Sequence, residues 1–305
     1  LDGTGKYHTV WYASNGFSEE TYEGNELYIP NQLPETTIMN GFTISGAFAN
    51  EDIALQDGNE NSKIKFVHTL GGGVSIVGNG VLERCVVENN KARYGGAGVG
   101  MFDGAYVNQC LVQNNEATGV NFMVGLGFFI NYWRTDGAGI LAIGREGNPS
   151  IIDNSQISDN LGKANDNYPG SPSGDNDKVN NGGGVYLYES IIQNCLVSGN
   201  NIVKNPSPYD GNSGASCGGG IYLYSRGLVD NCEVRDNGFQ GDSQNGSGIW
   251  VADYGTEMLA TDYDDLVVSN CFVHSNREGV ALAMDSRYST IINNKVANNA
   301  GNGIY

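Results

Sequence analysis

Aliphatic residues return along this chain in two short arrangements, each bracketed by glycine or asparagine. In the first, a Gly precedes a β-branched residue, at Gly73-Val74, Gly98-Val99, Gly139-Ile140, Gly184-Val185, Gly220-Ile221, Gly248-Ile249, Gly279-Val280 and Gly303-Ile304. Two positions later another apolar residue follows: Ile76, Met101, Ala142, Leu187, Leu223, Val251 and Leu282. Alternation of period two over so few residues predicts a short strand with one buried face. The leading Gly predicts a backbone position that a Cβ would obstruct.

The second arrangement reads aliphatic-x-x-Cys-x-Val-x-x-Asn. Its first column is Leu82, Val107, Ile152, Ile192, Val229, Val268 and Ile291, and its second is Cys85, Cys110, Ser155, Cys195, Cys232, Cys271 and Asn294. Val87, Val112, Ile157, Val197, Val234, Val273 and Val296 follow, and the last column, Asn90, Asn115, Asn160, Asn200, Asn237, Asn276 and Asn299, has no exception. Met39, Phe42 and Ile44 fit a divergent earlier copy, and the tightest rung runs 24 residues from Gly279 to Gly303.

Short strands recurring at this interval, with turns and no helical period between them, predict an all-β parallel solenoid. Each coil would bury its aliphatic columns and pair its backbone with the coils on either side, about 4.8 Å away. An Asn at one recurring corner can bond the Asn or backbone of the next coil, and it tolerates left-handed turn geometry. The five in-register cysteines point inward and read as buried thiols packing as small hydrophobes, replaceable by Ser155 and Asn294. A disulfide between coils would demand exacting side-chain geometry. Cys217 lies off register, and with only His8, His68 and His274 present the cysteines fit no zinc spacing.

The Gly-Gly-Gly-Val/Ile and Val/Ile-x-x-Asn elements resemble the repeats of the right-handed parallel β-helix, or pectin-lyase-like, superfamily. They are similar in particular to polymorphic outer-membrane proteins and related bacterial surface proteins. The resemblance covers roughly residues 38 to 305 and rests on segments such as Val234-Arg235-Asp236-Asn237, where Val stands for the Phe of a Phe-x-x-Asn element. It implies a single right-handed β-helix of roughly eight to nine coils, with residues 1–50 as divergent first coils and 71–305 as regular ones. It also implies a secreted or surface-displayed bacterial protein. Function is left open, since this fold carries lyases, hydrolases, epimerases and adhesins.

Composition narrows the partners. The 34 acidic residues against 16 basic ones give a net charge of −18, which repels phosphate backbones and anionic membrane surfaces. No apolar run approaches the roughly 18 residues needed to span a bilayer. Neither nucleic-acid binding nor membrane insertion is expected. The chain begins at Leu1 and ends partway through a repeat, which reads as a piece of a longer processed polypeptide, monomeric or part of a larger surface protein.

Function in a solenoid collects where the repeat is interrupted. Insertions at 116–136, 161–181 and 201–217 sit between an Asn anchor and the next Gly-led strand, and 252–267 follows such a strand. The outward positions of that strand series include Tyr186, Tyr222 and Trp250 on three successive repeats, with Tyr188 and Tyr224 beside them. Aromatic faces next to polar loops suit sugar rings, so these five form the candidate ligand-binding ladder. The same rings could instead be roofed by the insertions as a second small core.

Catalytic candidates are thinner. Glycoside hydrolysis needs two carboxyls about 5–10 Å apart across a groove, and Asp253, Asp262, Asp264 and Asp265 are the acidic residues offered by the fourth insertion. The Asp175-Asn176-Asp177 and Asp262-to-Asp265 clusters supply the oxygen ligands that Ca²⁺ takes, although neither matches an EF-hand loop. Otherwise no cofactor is expected. The Asn-Thr-Asp, Asp-Asp and Gly-His-Gly set of polygalacturonase-like hydrolases and the Arg-x-Pro-x-x-Arg element of pectate lyases are both missing. His274 and Arg277 read as turn residues. The expectation is a binding domain that captures a glycan or another surface partner, with a polysaccharide lyase or glycoside hydrolase as the alternative and a structural spacer as the third reading.

Overall fold

The computed structural model describes residues 10–12, 36–49, 71–93, 95–118, 120–125, 129–144, 147–163, 176–203, 217–240, 246–252, 266–277, 281–285 and 289–304. Strands are the only regular element among them, and they fall into four parallel series that recur from repeat to repeat. The Gly-led series comprises Val10–Tyr12, Val74–Val77, Val99–Phe102, Ile140–Ile143, Ile249–Ala252 and Leu282–Asp285, together with the first halves of Val185–Gln193 and Ile221–Asp230. The second halves of those two long strands join a second series, which includes Gly80–Glu83, Tyr106–Asn108, Ser150–Asp153 and Leu266–Ser269, so both series merge into one 14-stranded sheet. An 8-stranded sheet runs from Thr43–Ser45 to Lys295–Ala297, and a 6-stranded sheet from Phe48–Ala49 to Gly238–Gln240. Every pairing in these three sheets is parallel between equivalent residues of successive repeats, an arrangement compatible with a parallel β-solenoid.

The predicted columns are the core. Val74, Val99, Ile140, Val185, Ile221 and Ile249 are fully buried in one continuous cluster with Leu82, Val107, Ile152, Ile192 and Val229 and with Val87, Val112, Ile157, Val197, Val234 and Val273. One register differs from expectation. Ile249 pairs with Leu282, not Val280, so Ala281 fills the Gly column and the last Gly-led strand sits two residues later than Gly279 suggested. A methyl is tolerated at Ala281, whose N–H bonds the Asn302 carbonyl. The earlier copy is confirmed, with Met39 opposite Leu82 and Ile44 opposite Val87.

The Asn column forms an unbroken ladder, buried from Asn90 to Asn276 and partly exposed at Asn299. Each Nδ2 donates to the Oδ1 of the next Asn, through Asn90, Asn115, Asn160, Asn200, Asn237, Asn276 and Asn299, at 2.9–3.1 Å. The same Oδ1 accepts the backbone N–H of the preceding Asn, and the other Nδ2 hydrogen reaches a carbonyl such as Val87 O from Asn115 or Val112 O from Asn160. Left-handed geometry is carried one residue earlier than expected, by Asn89, Asn114, Asp159, Gly199, Asp236, Ser275 and Asn298, so the ladder Asn is free to turn inward. A second left-handed corner precedes the Cys column at Arg84, Gln109, Asn154, Asn194, Asn231, Asn270 and Asn293.

The Cys column is also more than apolar packing. All six cysteines are free and buried. In the repeat, the thiol donates to the carbonyl two residues earlier, as Cys195 does to Gln193 O at 3.0 Å and Cys271 to Ser269 O at 3.0 Å. It also accepts a backbone N–H from the previous repeat: Phe42 N donates to Cys85 Sγ and Ser155 N to Cys195 Sγ. Ser155 Oγ and Asn294 Oδ1 take the same N–H bonds from Cys110 and Cys271 at 3.0 and 2.8 Å. That shared acceptor role explains why those two residues substitute here. Burial pushes the Cys110 thiol up to about 12. The Cys271 thiol is also raised, first by its hydrogen bond to the Cys232 thiol and then by burial.

Candidate functional site

The insertions begin later than the sequence suggested. Glu116–Ala117, Leu161–Lys163 and Asn201–Val203 are regular strands of the 6-stranded sheet. Their inward residues follow each ladder Asn by two, and Ala49, Ala92 and Ala117 join Ala97 and Ala138 in a small cluster of their own. Beyond that sheet, Val120–Gly125 and Phe129–Asp136 form an antiparallel hairpin, and Asn176–Asn181 adds to it in parallel. Phe129–Asp136 and Asn176–Asn181 lead into the Gly turns at Gly137 and Gly182 that start the next Gly-led strands. At their ends the buried Asn181 Nδ2 donates to Asp136 Oδ1 at 3.1 Å, and Asn181 bridges Cys217 in parallel.

On the outward side of the Gly-led series the aromatic residues stand in register. Leu141 lies opposite Tyr186, Tyr186 opposite Tyr222, and Tyr222 opposite Trp250. The Tyr186 and Tyr222 rings stack at 5.2 Å between centroids, and Tyr188 meets Tyr224 at 5.7 Å. The series divides by depth. Tyr186 and Tyr222 are only 5% and 4% exposed and form a second apolar cluster with Val77, Phe102, Leu141, Cys217 and Ala252. Tyr188, Tyr224 and Trp250 pack against that cluster but remain partly exposed. The inner pair is a floor, and the three outer rings are its rim. Cys217, off register in the sequence, is accounted for as a member of this cluster.

Asp253, Asp262, Asp264 and Asp265 lie outside the described residues, as does Asp175. Asp177 is described only as a backbone position in the strand Asn176–Asn181. Among the described residues, no group of three or more His, Cys, Asp or Glu gathers closely enough to hold a metal ion. His274 is a strand residue rather than a turn residue. It points outward from Phe272–His274, stacks on Phe272 at 4.0 Å between centroids and meets Glu233 Oε1 at 3.1 Å.

A polar stripe that the sequence reading did not single out follows the second left-handed corner. Asn40 donates to Glu83 at 2.6 Å, Tyr106 and Asn194 both donate to Asp153, Asn231 donates to Asn194, and Asn270 and Ser269 both donate to Asp230. Burial, and then the bond to Asp153, raises the Tyr106 hydroxyl above its ordinary range. The signal was the Asn recurring one residue before the Cys column at 154, 194, 231 and 270. These side chains satisfy one another along the outer corner, which makes the stripe a brace between repeats. Comparison of the chain with family models, with curated proteins and with solved structures returns no match.

Proposed function

We propose that the chain is a single right-handed parallel β-helix of roughly eight to nine coils, secreted or displayed on a bacterial surface, that captures a glycan on the rim of its aromatic face. The observation that carries this reading is the division of the aromatic series. Tyr188 and Tyr224, two residues along their strands from the buried Tyr186–Tyr222 pair, and Trp250, in register beside Tyr222, present partly exposed side chains next to that pair. A sugar ring offers an apolar C–H face to such a ring and its hydroxyls to polar neighbours. An acidic chain is compatible with a neutral glycan and opposes a polyanionic one. Binding is the proposed activity, without catalysis and without a cofactor.

Glycan-array screening followed by calorimetry on the strongest hit tests the reading. Trp250→Ala and Tyr224→Ala should each weaken binding about tenfold, or about 1.4 kcal/mol, with the fold intact by circular dichroism. Wild-type affinity in both variants would remove the aromatic rim from the site. A structural-spacer reading draws on the burial of Tyr186 and Tyr222, which gives those rings a packing role. It expects no glycan on the array and no loss of stability on trimming residues 204–216.

A further inference from the structure

The second strand series carries an outer face of its own. Leu82, Val107, Ile152, Ile192, Val229 and Val268 are buried in the main core, so the residue on either side of each points outward. One outward row is apolar. Val81, Tyr106, Ile151, Ile191, Leu228 and Val267 stand in register on six successive strands, each partly exposed. The other row, two residues further along, reads Glu83, Asn108, Asp153, Gln193, Asp230 and Ser269, with a carboxylate on every second strand. Strand propensity alone does not account for the apolar row. The matching outward column of the 8-stranded sheet, under the same preference, changes to Gln156 and Glu233 between Leu111, Leu196 and Phe272. A contiguous apolar strip with a polar border marks an interaction surface.

Charge selects the partner. Glu83 meets Arg84 at 3.2 Å. Asp153 instead accepts from Tyr106 and Asn194, and Asp230 from Ser269 and Asn270, all neutral donors. Such bonds hold a carboxylate in place without cancelling its charge. Glu189 and Arg226, which precede Ile191 and Leu228 by two residues, carry opposite signs and leave the balance unchanged. The apolar row is therefore bordered by negative charge on a chain of net −18. We propose that this face docks a basic amphipathic α-helix of a partner protein, its apolar stripe on the row and its Lys or Arg side chains over Asp153 and Asp230. Spacing decides between a helix and an extended segment. The row advances about 4.8 Å per repeat. A helix returns a side chain to one face about every 5.4 Å and a strand about every 6.8 Å, so only the helix keeps step along a row of about 24 Å. Alternate strands put the carboxylates about 9.6 Å apart, against about 10.8 Å for two helical turns. A second copy of this chain sets like charge against like.

The test uses the whole chain and a labelled Leu/Lys peptide of about 18 residues, about 27 Å long as a helix, with Leu on one face and Lys on the other. Fluorescence anisotropy at physiological salt should show saturable binding, about tenfold tighter than for a peptide of the same composition in shuffled order. A strictly alternating Leu-Lys peptide, amphipathic only when extended, should bind no better than the shuffled one. Ile191→Ser and Leu228→Ser, both outside the core, should each weaken the helical peptide about fivefold at an unchanged circular dichroism spectrum. Leu196→Ser, on the outward column of the 8-stranded sheet, should leave its affinity as it was. Asp230→Asn retains an acceptor for Ser269 and should reduce the salt dependence of binding. The proposal is overturned if the shuffled peptide binds as tightly, which leaves only unspecific charge attraction, or if the alternating peptide binds more tightly than the helical one. It is equally overturned if both Ser variants keep the affinity of the natural chain, or if the helical peptide shows no saturable binding up to about millimolar concentration.

Discussion

Asn160→Ala places the perturbation in the middle of the Asn ladder, where the magnitude can be worked bond by bond. Asn160 is 1% exposed. Its Oδ1 accepts from Asn115 N at 3.0 Å and from Asn115 Nδ2 at 2.9 Å, and its own Nδ2 donates to Val112 O at 3.1 Å and to Asn200 Oδ1 at 2.9 Å. Alanine removes all four bonds and orphans two buried donors on Asn115. A buried donor left without an acceptor costs roughly 1–3 kcal/mol, so the expected loss is about 4 kcal/mol, measured as the midpoint shift in guanidinium unfolding. Asn299→Ala is the internal control: Asn299 is itself partly exposed, so water can enter where its side chain stood and serve the Asn276 donors, and the change should cost about 1 kcal/mol or less. Asn160→Asp adds a pH test. It keeps an acceptor for Asn115 but turns a second oxygen toward two other acceptors, which favours the protonated acid and raises the folded pKa above the unfolded value near 3.9. A raised folded pKa means that stability is present below the unfolded pKa and is lost as pH rises through the folded one. The deficit of the Asp variant against the natural chain should therefore widen from pH 4 to pH 7. An Ala variant within about 1 kcal/mol of the natural chain, with an Asp deficit that does not change with pH, would refute the ladder as a determinant of stability.

Two further outcomes follow from the same columns. At Gly184 an added Cβ would stand 2.7 Å from Gly220 O and 2.8 Å from Asn200 Nδ2. Gly184→Ala should therefore cost about 3 kcal/mol in chemical unfolding. Gly147→Ala, with φ +75° but nothing within 4 Å, should cost only about 1 kcal/mol of backbone strain. The thiol column should destabilise the fold in alkali: Cys110 ionises near 9 when unfolded and near 12 in the fold, so between those values the folded chain holds the extra proton and stability falls as pH rises. The slope should reach about 1.4 kcal/mol per pH unit for each such thiol, read from unfolding midpoints between pH 8.5 and 11. Cys110→Ser should flatten it, and an unchanged slope would show that Cys110 does not carry it.

What the sequence made legible was whatever every repeat must supply. Parallel in-register stacking places each residue opposite its own counterpart, so one environment is imposed on a whole column at once. Val87 through Val273, the Cys column and the Asn ladder could be read off because each met that environment several times. The mistaken register at Gly279 comes from the same logic applied where it weakens. The last repeat needs no Gly under Ile249, and Ala281 fills the place while a nearby Gly-Val imitates the motif. The left-handed residues were visible as Asn, Asp and Gly ahead of each anchor, but an invariant Asn next door drew the assignment one position too far. The short strands at Lys91–Ala92 and Glu116–Ala117 were missed because two residues carry too little alternation to stand out from an insertion. Non-repeating segments impose no shared environment, so nothing in the sequence located the hairpin strands Val120–Gly125 and Phe129–Asp136, and the second small core it offered as an alternative holds for Tyr186 and Tyr222 but leaves Tyr188, Tyr224 and Trp250 partly exposed.

The aromatic face shows why that distinction bears on function. Period-two alternation established that Tyr186 and Tyr222 point away from the main core, and they do, yet pointing outward from a sheet is not the same as meeting solvent. Two neighbouring outward rings spaced by one strand repeat can stack on each other, as these do at 5.2 Å, and the stacked pair then attracts cover as any apolar surface does. The residues one step along the strand, Tyr188 and Tyr224, sit further apart and more tilted, at 5.7 Å and 35°, and remain partly open with Trp250. A ligand that stacks needs an exposed ring face held rigidly. In the proposed glycan reading the buried pair supplies the rigidity and the outer three supply the faces. Truncating Tyr222 therefore removes support, read as a loss of stability, whereas truncating Trp250 removes contact, read as a loss of affinity at unchanged stability. The two effects are separable because the repeat fixes both side chains in register on adjacent strands while leaving them at different depths.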